Sequence, residues 1–554
     1  MTTTTGAAAG VTAHRTLLRR DIGFIGLIWA SEGSIIGSGW LFGSQGALQS
    51  AGPAAIISWA IGGVAILILA LSHAELGGMY PVSGGTARFP HYAFGGLAGG
   101  SFGWFSWLQA VTVAPIEVLA AIQYGQHWSF ARHWEKLSGT PPQHVLTGSG
   151  IIAAIVLMAL FVAINFLSVR RLTMTNNVAT WWKIGVPLLT IFVLAIVNFH
   201  TGNFTAADGF NPYGAKGILS AVSTSGIIFA LLGFEQADQL AGESANPKRD
   251  IPRAVIGSIV IGAVIYVVLQ VVFLAALPAG YTHGKWATAA FNALTGPFAQ
   301  VATLAAVGWL ATILYIDAVV SPSGTGLIYM TATSRVSYGL SRNGYFPVAY
   351  EWTDRQAVPW VGLITAFVAG CICFLPFPGW RQLVGLITGA SVLMYAGAPL
   401  ALGAFRRRLP DEERPYRMPW ASVLAPAGFA VASLLILWSG WTTVWKLGVG
   451  IGIGYVVLVA NRLFRLNPIQ PVWDVRAASW LPVYLVGMGV LEYGSTFGPM
   501  KTPWFGTDAV WWDIVAVVAF SLVIYYWAMY VSLPADKIRQ VIGSVVVPEE
   551  AGAN

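Results

Sequence analysis

From about residue 22 to about residue 531 the chain is a succession of apolar segments, each on the order of 20 residues and separated by short polar intervals. They lie near 22–48, 53–77, 100–127, 149–169, 178–198, 218–242, 254–277, 302–333, 359–376, 381–404, 421–441, 446–464, 479–497 and 509–531. A segment of that length spans the hydrocarbon of a bilayer as a helix, so the pattern predicts an all-α polytopic membrane protein with about 14 transmembrane helices. Composition agrees: 56% of the residues are hydrophobic and 10% charged, where soluble chains carry about a quarter charged. No interval is long enough for a separate soluble domain, which excludes a signalling module, and no clustered catalytic groups point to an enzyme.

The net charge of +7 does not describe a nucleic-acid surface, because the basic residues are scattered a few at a time between apolar spans. With the N-terminus inside, about 22 fall in inside loops, including Arg406–Arg408 and Lys248, Arg249 and Arg253. About 7 fall outside, among them Lys136, Lys285 and Lys501. That asymmetry predicts cytoplasmic termini: a short disordered tail over 1–20 and a C-terminal tail over 534–554. Cys371 and Cys373, two apart in one span, point to different helix faces and make no metal site. His14, His91, His127, His133, His144, His200 and His283 read as solvated loop residues, and none pairs at metal-ligand spacing. No phosphate loop or nucleophile triad is present, and no cofactor is implied.

Two spans are built to be interrupted. The first carries Ser31-Glu32-Gly33-Ser34-Ile35-Ile36-Gly37-Ser38-Gly39, in which the glycines weaken a helix and the polar side chains are costly in lipid. The second, 218–242, carries Ser223-Thr224-Ser225-Gly226 and then Gly233, Glu235, Gln236 and Asp238. These are spans one and six, the same position in two groups of five, which is the pattern of an inverted-repeat transporter with a midplane site. Broken backbone survives at that depth where it lines a cavity or is buried in protein. Span one offers N–H groups and a positive dipole end at Gly37, Ser38 and Gly39, with Ser34 beside them, to receive a carboxylate. Span six offers the carbonyls of Phe229, Ala230 and Leu232 to receive an ammonium. Phe229 reads either as a lid or as a packing aromatic. Glu32 and Glu235 either cap freed N–H groups or bind a positive group on the substrate.

Ala74-Glu75-Leu76, Tyr80-Pro81-Val82-Ser83-Gly84-Gly85 and Phe94-Gly95 resemble the signature between helices two and three of the amino acid–polyamine–organocation superfamily. Gly37-Ser38-Gly39, Gly242-Glu243, Asn246–Pro252, Ser334-Arg335 and Ser341–Gly344 extend the resemblance. The chain is most similar to the bacterial aspartate:proton symporter branch, on Ser38–Phe42, Ile116-Glu117-Val118, Gly308–Thr312, Asp317-Ala318, Ser321-Pro322, Leu375–Pro378, Trp438–Trp441 and Tyr525–Ala528.

The resemblance implies a LeuT-like 5+5 inverted repeat over 21–405 with helices 1 and 6 broken, and peripheral helices 11–14 over 406–533. It implies a secondary active transporter of the bacterial inner membrane, a proton-coupled amino acid symporter working by alternating access. Exchange, or uptake of a polyamine or cationic amine, stays open beside it; a substrate sensor or a channel is the reading from another class. Lys183 falls where proton-coupled members carry a lysine against the span-one break; snorkelling to the surface is its plain alternative. Glu117 and Asp317 become candidates for substrate-amine binding and proton relay, or are satisfied structural acids. Glu75 and Glu243 are expected to pair with basic residues of inside loops. Glu32, Glu235 and Asp238 depart from the branch pattern. Acids with no cation in either broken span disfavour an acidic substrate by Coulomb's law.

Overall fold

The computed structural model describes residues 22–81, 85–139, 143–167, 169–206, 208–278, 286, 295–354, 358–375 and 379–550. The tail expected over 1–20, Val82–Gly84 of the signature, His14, His283 and Lys285 lie outside them.

Each apolar segment contains helix. The first is split into α1 (Phe24–Ile35) and α2 (Gly39–Ala51), and α3 (Ala55–Met79) follows. After the short α4 (Gly85–Phe94) come α5 (Gly96–Gly125), α6 (Gly148–Leu167) and α7 (Val169–Val197). The second broken segment consists of α8 (Gly214–Thr224), α9 (Ile227–Ala230) and α10 (Glu235–Gln239). Then follow α11 (Pro247–Ala276), α12 (Pro297–Leu304), α13 (Gly308–Arg342), α14 (Trp360–Cys373) and α15 (Trp380–Arg408). The C-terminal part holds α16 (Ala421–Leu437), α17 (Trp441–Leu463), α18 (Trp480–Gly494), α19 (Val510–Val531) and α20 (Ala535–Glu550). Among the described residues nine helices are long and apolar enough to cross a membrane, and α1, α14 and α16 are shorter apolar ones.

The all-helical expectation needs one correction. Between α5 and α6, β1 (Glu135–Ser138) pairs antiparallel with β2 (Gln143–Leu146), Glu135 opposite Leu146. This interval is too polar for a span, and its backbone groups, folded back over helix ends, find partners in a ladder.

The packing follows the distribution of small residues. Helix α5, with glycines at 96, 99, 100 and 103, is buried along nearly its whole length against α13 and α15. Helix α3 runs along α11. Helices α6, α17 and α19 leave most of their apolar windows uncovered, as lipid-facing helices do. Helix α16 packs on α3 and α15 and links α19 to the rest. Residues 535–550 are helical, and Ile538 is buried.

Candidate functional site

The first break falls at Ile36–Ser38, as the Gly37-Ser38-Gly39 run predicts. The second is a double interruption, at Ser225-Gly226 and again at Leu231–Phe234. Gly226 (φ 89°) and Gly233 (φ 126°) sit where an L side chain is strained, which is why the chain can turn twice within one segment. The breaks touch. A Cβ on Gly39 would lie 2.7 Å from both Cα and Cβ of Ala230, and Ser31 Oγ donates to the Phe234 carbonyl at 3.3 Å.

The freed N–H groups are partly used. Gly37 N–H goes to the Ile35 carbonyl at 3.1 Å, and Ser38 N–H goes to the carboxylate of Glu117 at 3.0 and 3.3 Å. Gly39 N–H has no partner among the described residues. The N-terminus of α2 therefore does hold a carboxylate, and that carboxylate belongs to the protein. Sequence spacing could not show this, because Glu117 comes from α5, 79 residues away.

On the other break, the expectation for Phe229 needs correcting. Its carbonyl accepts the N–H of Leu232 at 3.2 Å, because the single turn of α9 closes on itself. The carbonyls of Ala230, Leu231 and Leu232 accept no backbone N–H among the described residues. The Phe229 ring meets Trp380 edge-on at 5.9 Å, and Trp380 stacks obliquely on Phe42 at 4.9 Å while its indole N–H donates to Ser38 Oγ at 2.9 Å. These three rings close over the junction of the breaks.

Lys183 does not snorkel. Its side chain is buried, and Nζ donates to the Gly33 carbonyl and to Thr325 Oγ1, both at 2.6 Å. The carboxylates of Glu117 and Asp317 both act on it electrostatically. Asp317 in turn accepts from Ser321 Oγ at 2.5 Å and from Trp182 Nε1 at 2.9 Å. One buried ammonium, at the last turn of α1 before the break, is thus under the electrostatic influence of two buried carboxylates.

The remaining acids separate by their partners. Glu235 accepts from Gly233 N–H (2.8 Å), Tyr395 OH (2.6 Å), Tyr329 OH (3.1 Å) and Gln109 Nε2 (3.3 Å). It caps the second break and ties α5, α13 and α15 to it, the capping alternative rather than an open substrate contact. Asp238 pairs with His73, Nδ1 to Oδ2 3.3 Å, both fully buried. His73 escaped the sequence reading. Glu32 is buried with neither carboxylate oxygen hydrogen-bonded, and buried Ser34 Oγ is likewise without a partner among the described residues. Glu75 meets Arg406 at the end of α15 (2.6 and 3.0 Å), Arg414 in the loop after it (3.2 Å) and Met418 N–H (2.7 Å), so it does pair with basic residues. His91 corrects the solvated reading: its Nδ1 lies 2.6 Å from Tyr345 OH, and burial with Arg88 nearby pushes its pKa down to about 4.

Residues 22–461 match the profile of the amino acid permease family. Over 522 residues the chain is 37% identical to the glutamate/serine transporter AimA of Bacillus subtilis, covering 92% of this chain and 94% of that protein. It is 34% identical over 522 residues to the aspartate-proton symporter of the same organism, covering 94% and 98%. The branched-chain amino acid permease BcaP of B. subtilis is 26% identical over 474 residues, covering 82% and 96%. Family profile, full-length relatives and paired helix breaks agree: this chain is a multi-pass membrane protein of the amino acid permease family, within the amino acid–polyamine–organocation superfamily.

Proposed function

We propose that the protein is a proton-coupled amino acid symporter that works by alternating access around the two breaks. The fold would be a LeuT-like 5+5 repeat over 21–405, with about 14 spans, both termini cytoplasmic, in a bacterial inner membrane. The substrate carboxylate would sit on the N–H groups at Gly37–Gly39, beside Ser34, and its ammonium on the carbonyls of Ala230–Leu232. Lys183, with Asp317 and Glu117, would carry the coupling proton. Glu32 would face the positive group of the substrate, while Glu235 would hold the second break in shape.

The observation that carries this reading is Lys183 Nζ at 2.6 Å from the Gly33 carbonyl at the first break, buried and acted on by two buried carboxylates. A proton gained or lost there changes the charge next to the helix end that would receive the substrate, so the two events are linked. Glu117 sharpens the link, because its carboxylate and that of a substrate would compete for the Ser38 N–H.

The test is uptake by purified protein in liposomes, with the amino acids in the relatives' names (glutamate, aspartate, serine and the branched-chain set) offered first. An inward proton gradient should accelerate uptake of at least one of them. Uptake that is equal with and without the gradient, together with counterflow that ignores pH, would make the protein an exchanger instead.

A further inference from the structure

We propose that the recess around Arg381 is an outer capture site for the side-chain carboxylate of an acidic amino acid, an inference that rests on the carrier reading. The recess, small and partly open to solvent, is lined by Phe42, Gln45, Gln49, Gln123, Trp380 and Arg381, with Gln143 and His144 of the hairpin also lining it. No carboxylate lines it. The Arg381 guanidinium is partly buried and donates to Gln49 Oε1 and, at 3.4 Å, to Ser50 Oγ, both neutral acceptors. A guanidinium has five N–H donors in a planar fork, so donors remain for an incoming anion, and a carboxylate matches that fork with two parallel bonds. Among the described residues it forms no ion pair. A cation half withdrawn from water with no counter-charge favours one that arrives.

Position assigns the role. Trp380, the neighbour of Arg381 in the chain, closes over Ser38, whereas the guanidinium reaches the other end of α2 at Gln49 and Ser50. The eleven steps from Ser38 to Gln49 span roughly 16 Å along a helix at about 1.5 Å per residue. An acidic amino acid is too short to bridge that, so Arg381 acts before the central site, on encounter and not on final seating. It also bears on the Coulomb objection, at the entrance. Of the acids at the breaks, Glu235 is engaged by four donors and Glu117 by the Ser38 N–H, Glu32 alone of these three having no hydrogen bond among the described residues, and the cation that the broken spans lack is supplied by α15.

The experiment measures KM for glutamate and for serine in proteoliposomes made with wild type, Arg381→Gln and Arg381→Lys. Arg381→Gln should raise the glutamate-to-serine KM ratio about tenfold, the lower bound for a charge focused in a cleft. Arg381→Lys should recover part of it, and the maximal glutamate rate should fall far less than KM rises. An unaltered ratio overturns the proposal. Should Arg381→Gln fail to fold, wild type decides alone: raising ionic strength from about 0.05 to about 0.5 M should raise KM for glutamate more than for serine, and equal sensitivity overturns it. Wild type that carries serine but no acidic amino acid overturns this inference and leaves the carrier standing. Wild type that carries no amino acid removes the carrier reading and this one with it.

Discussion

Lys183→Ala is the substitution for which the structure makes the sharpest demand. The ammonium is buried and holds two short hydrogen bonds of 2.6 Å, one to a helix-end carbonyl and one to a hydroxyl. Hydrogen bonds to a charged group contribute about 1.5–3 kcal/mol each. Removing one partner of a buried ionic group costs about 3–5 kcal/mol, because the charges left behind stay desolvated. The two figures describe overlapping losses and do not add, so about 3–5 kcal/mol is the expected destabilisation. The residue left most exposed to it is Asp317, whose Oδ2 has no hydrogen bond among the described residues. Lys183→Ala should therefore unfold at lower temperature in detergent. The double variant Lys183→Ala/Asp317→Asn, which removes one orphaned charge, should recover part of that loss. Transport separates structure from coupling: both variants should retain counterflow exchange and lose the acceleration by an inward proton gradient. Gradient-driven uptake by Lys183→Ala equal to wild type would refute the coupling role. A melting temperature unchanged in the single variant would refute the buried-charge argument behind it.

Gly39→Ala tests the contact between the breaks. Its Cβ would lie 2.7 Å from the Ala230 backbone, which cannot swing aside as a side-chain tip can, and overpacking of this kind costs about 1–3 kcal/mol. If that cost falls on the transport step, uptake should drop by about fivefold to about a hundredfold, one decade per 1.4 kcal/mol, while Gly489→Ala, which meets nothing within 4 Å, should leave it intact. Glu135→Gln tests the hairpin. Burial pushes the Glu135 carboxyl up to about 8 from its ordinary 4.5, with Gln126 Nε2 donating to it at 2.5 Å and His144 Nδ1 3.6 Å away. The folded hairpin thus holds a proton that the unfolded chain releases, so its stability is greatest below about pH 4.5 and declines as pH rises to about 8. Amide exchange of Leu137 and Val145, corrected for the intrinsic rate, should quicken across that window in wild type and stay level in Glu135→Gln.

The first break was legible because glycine and serine alternate over Gly37–Gly39, and helix propensity alone predicts the interruption there. The second was legible only as a region. Gly226 and Gly233 both stand in the sequence, but propensity does not say which adopts positive φ, and both do. That is why the open carbonyls begin at Ala230 and not at Phe229. Lys183 was placed by resemblance, since its period in an apolar helix fits a snorkelling residue equally well. Contacts between distant segments were not legible at all. Glu117 reaching Ser38, His73 reaching Asp238, and Gln109, Tyr329 and Tyr395 converging on Glu235 are set by how helices pack, and no local spacing encodes them. Arg381 was hidden for a simpler reason: a basic residue at the edge of an apolar segment reads as an orientation signal. In the fold it bends back over α2.

The carboxylate of Glu117 on the Ser38 amide bears on the idle half of a transport cycle. A carrier that delivers its cargo must come back with nothing aboard, and a bare helix end facing its own low-dielectric interior would resist that journey. Under the proposed mechanism an internal tenant keeps the seat warm: cargo would have to evict it on the way in, and its return would help push cargo out. Tight grip would be given up for easy release. A transporter arranged in this way gains turnover from a modest affinity, and a stronger hold on the amino acid at that amide would slow it down.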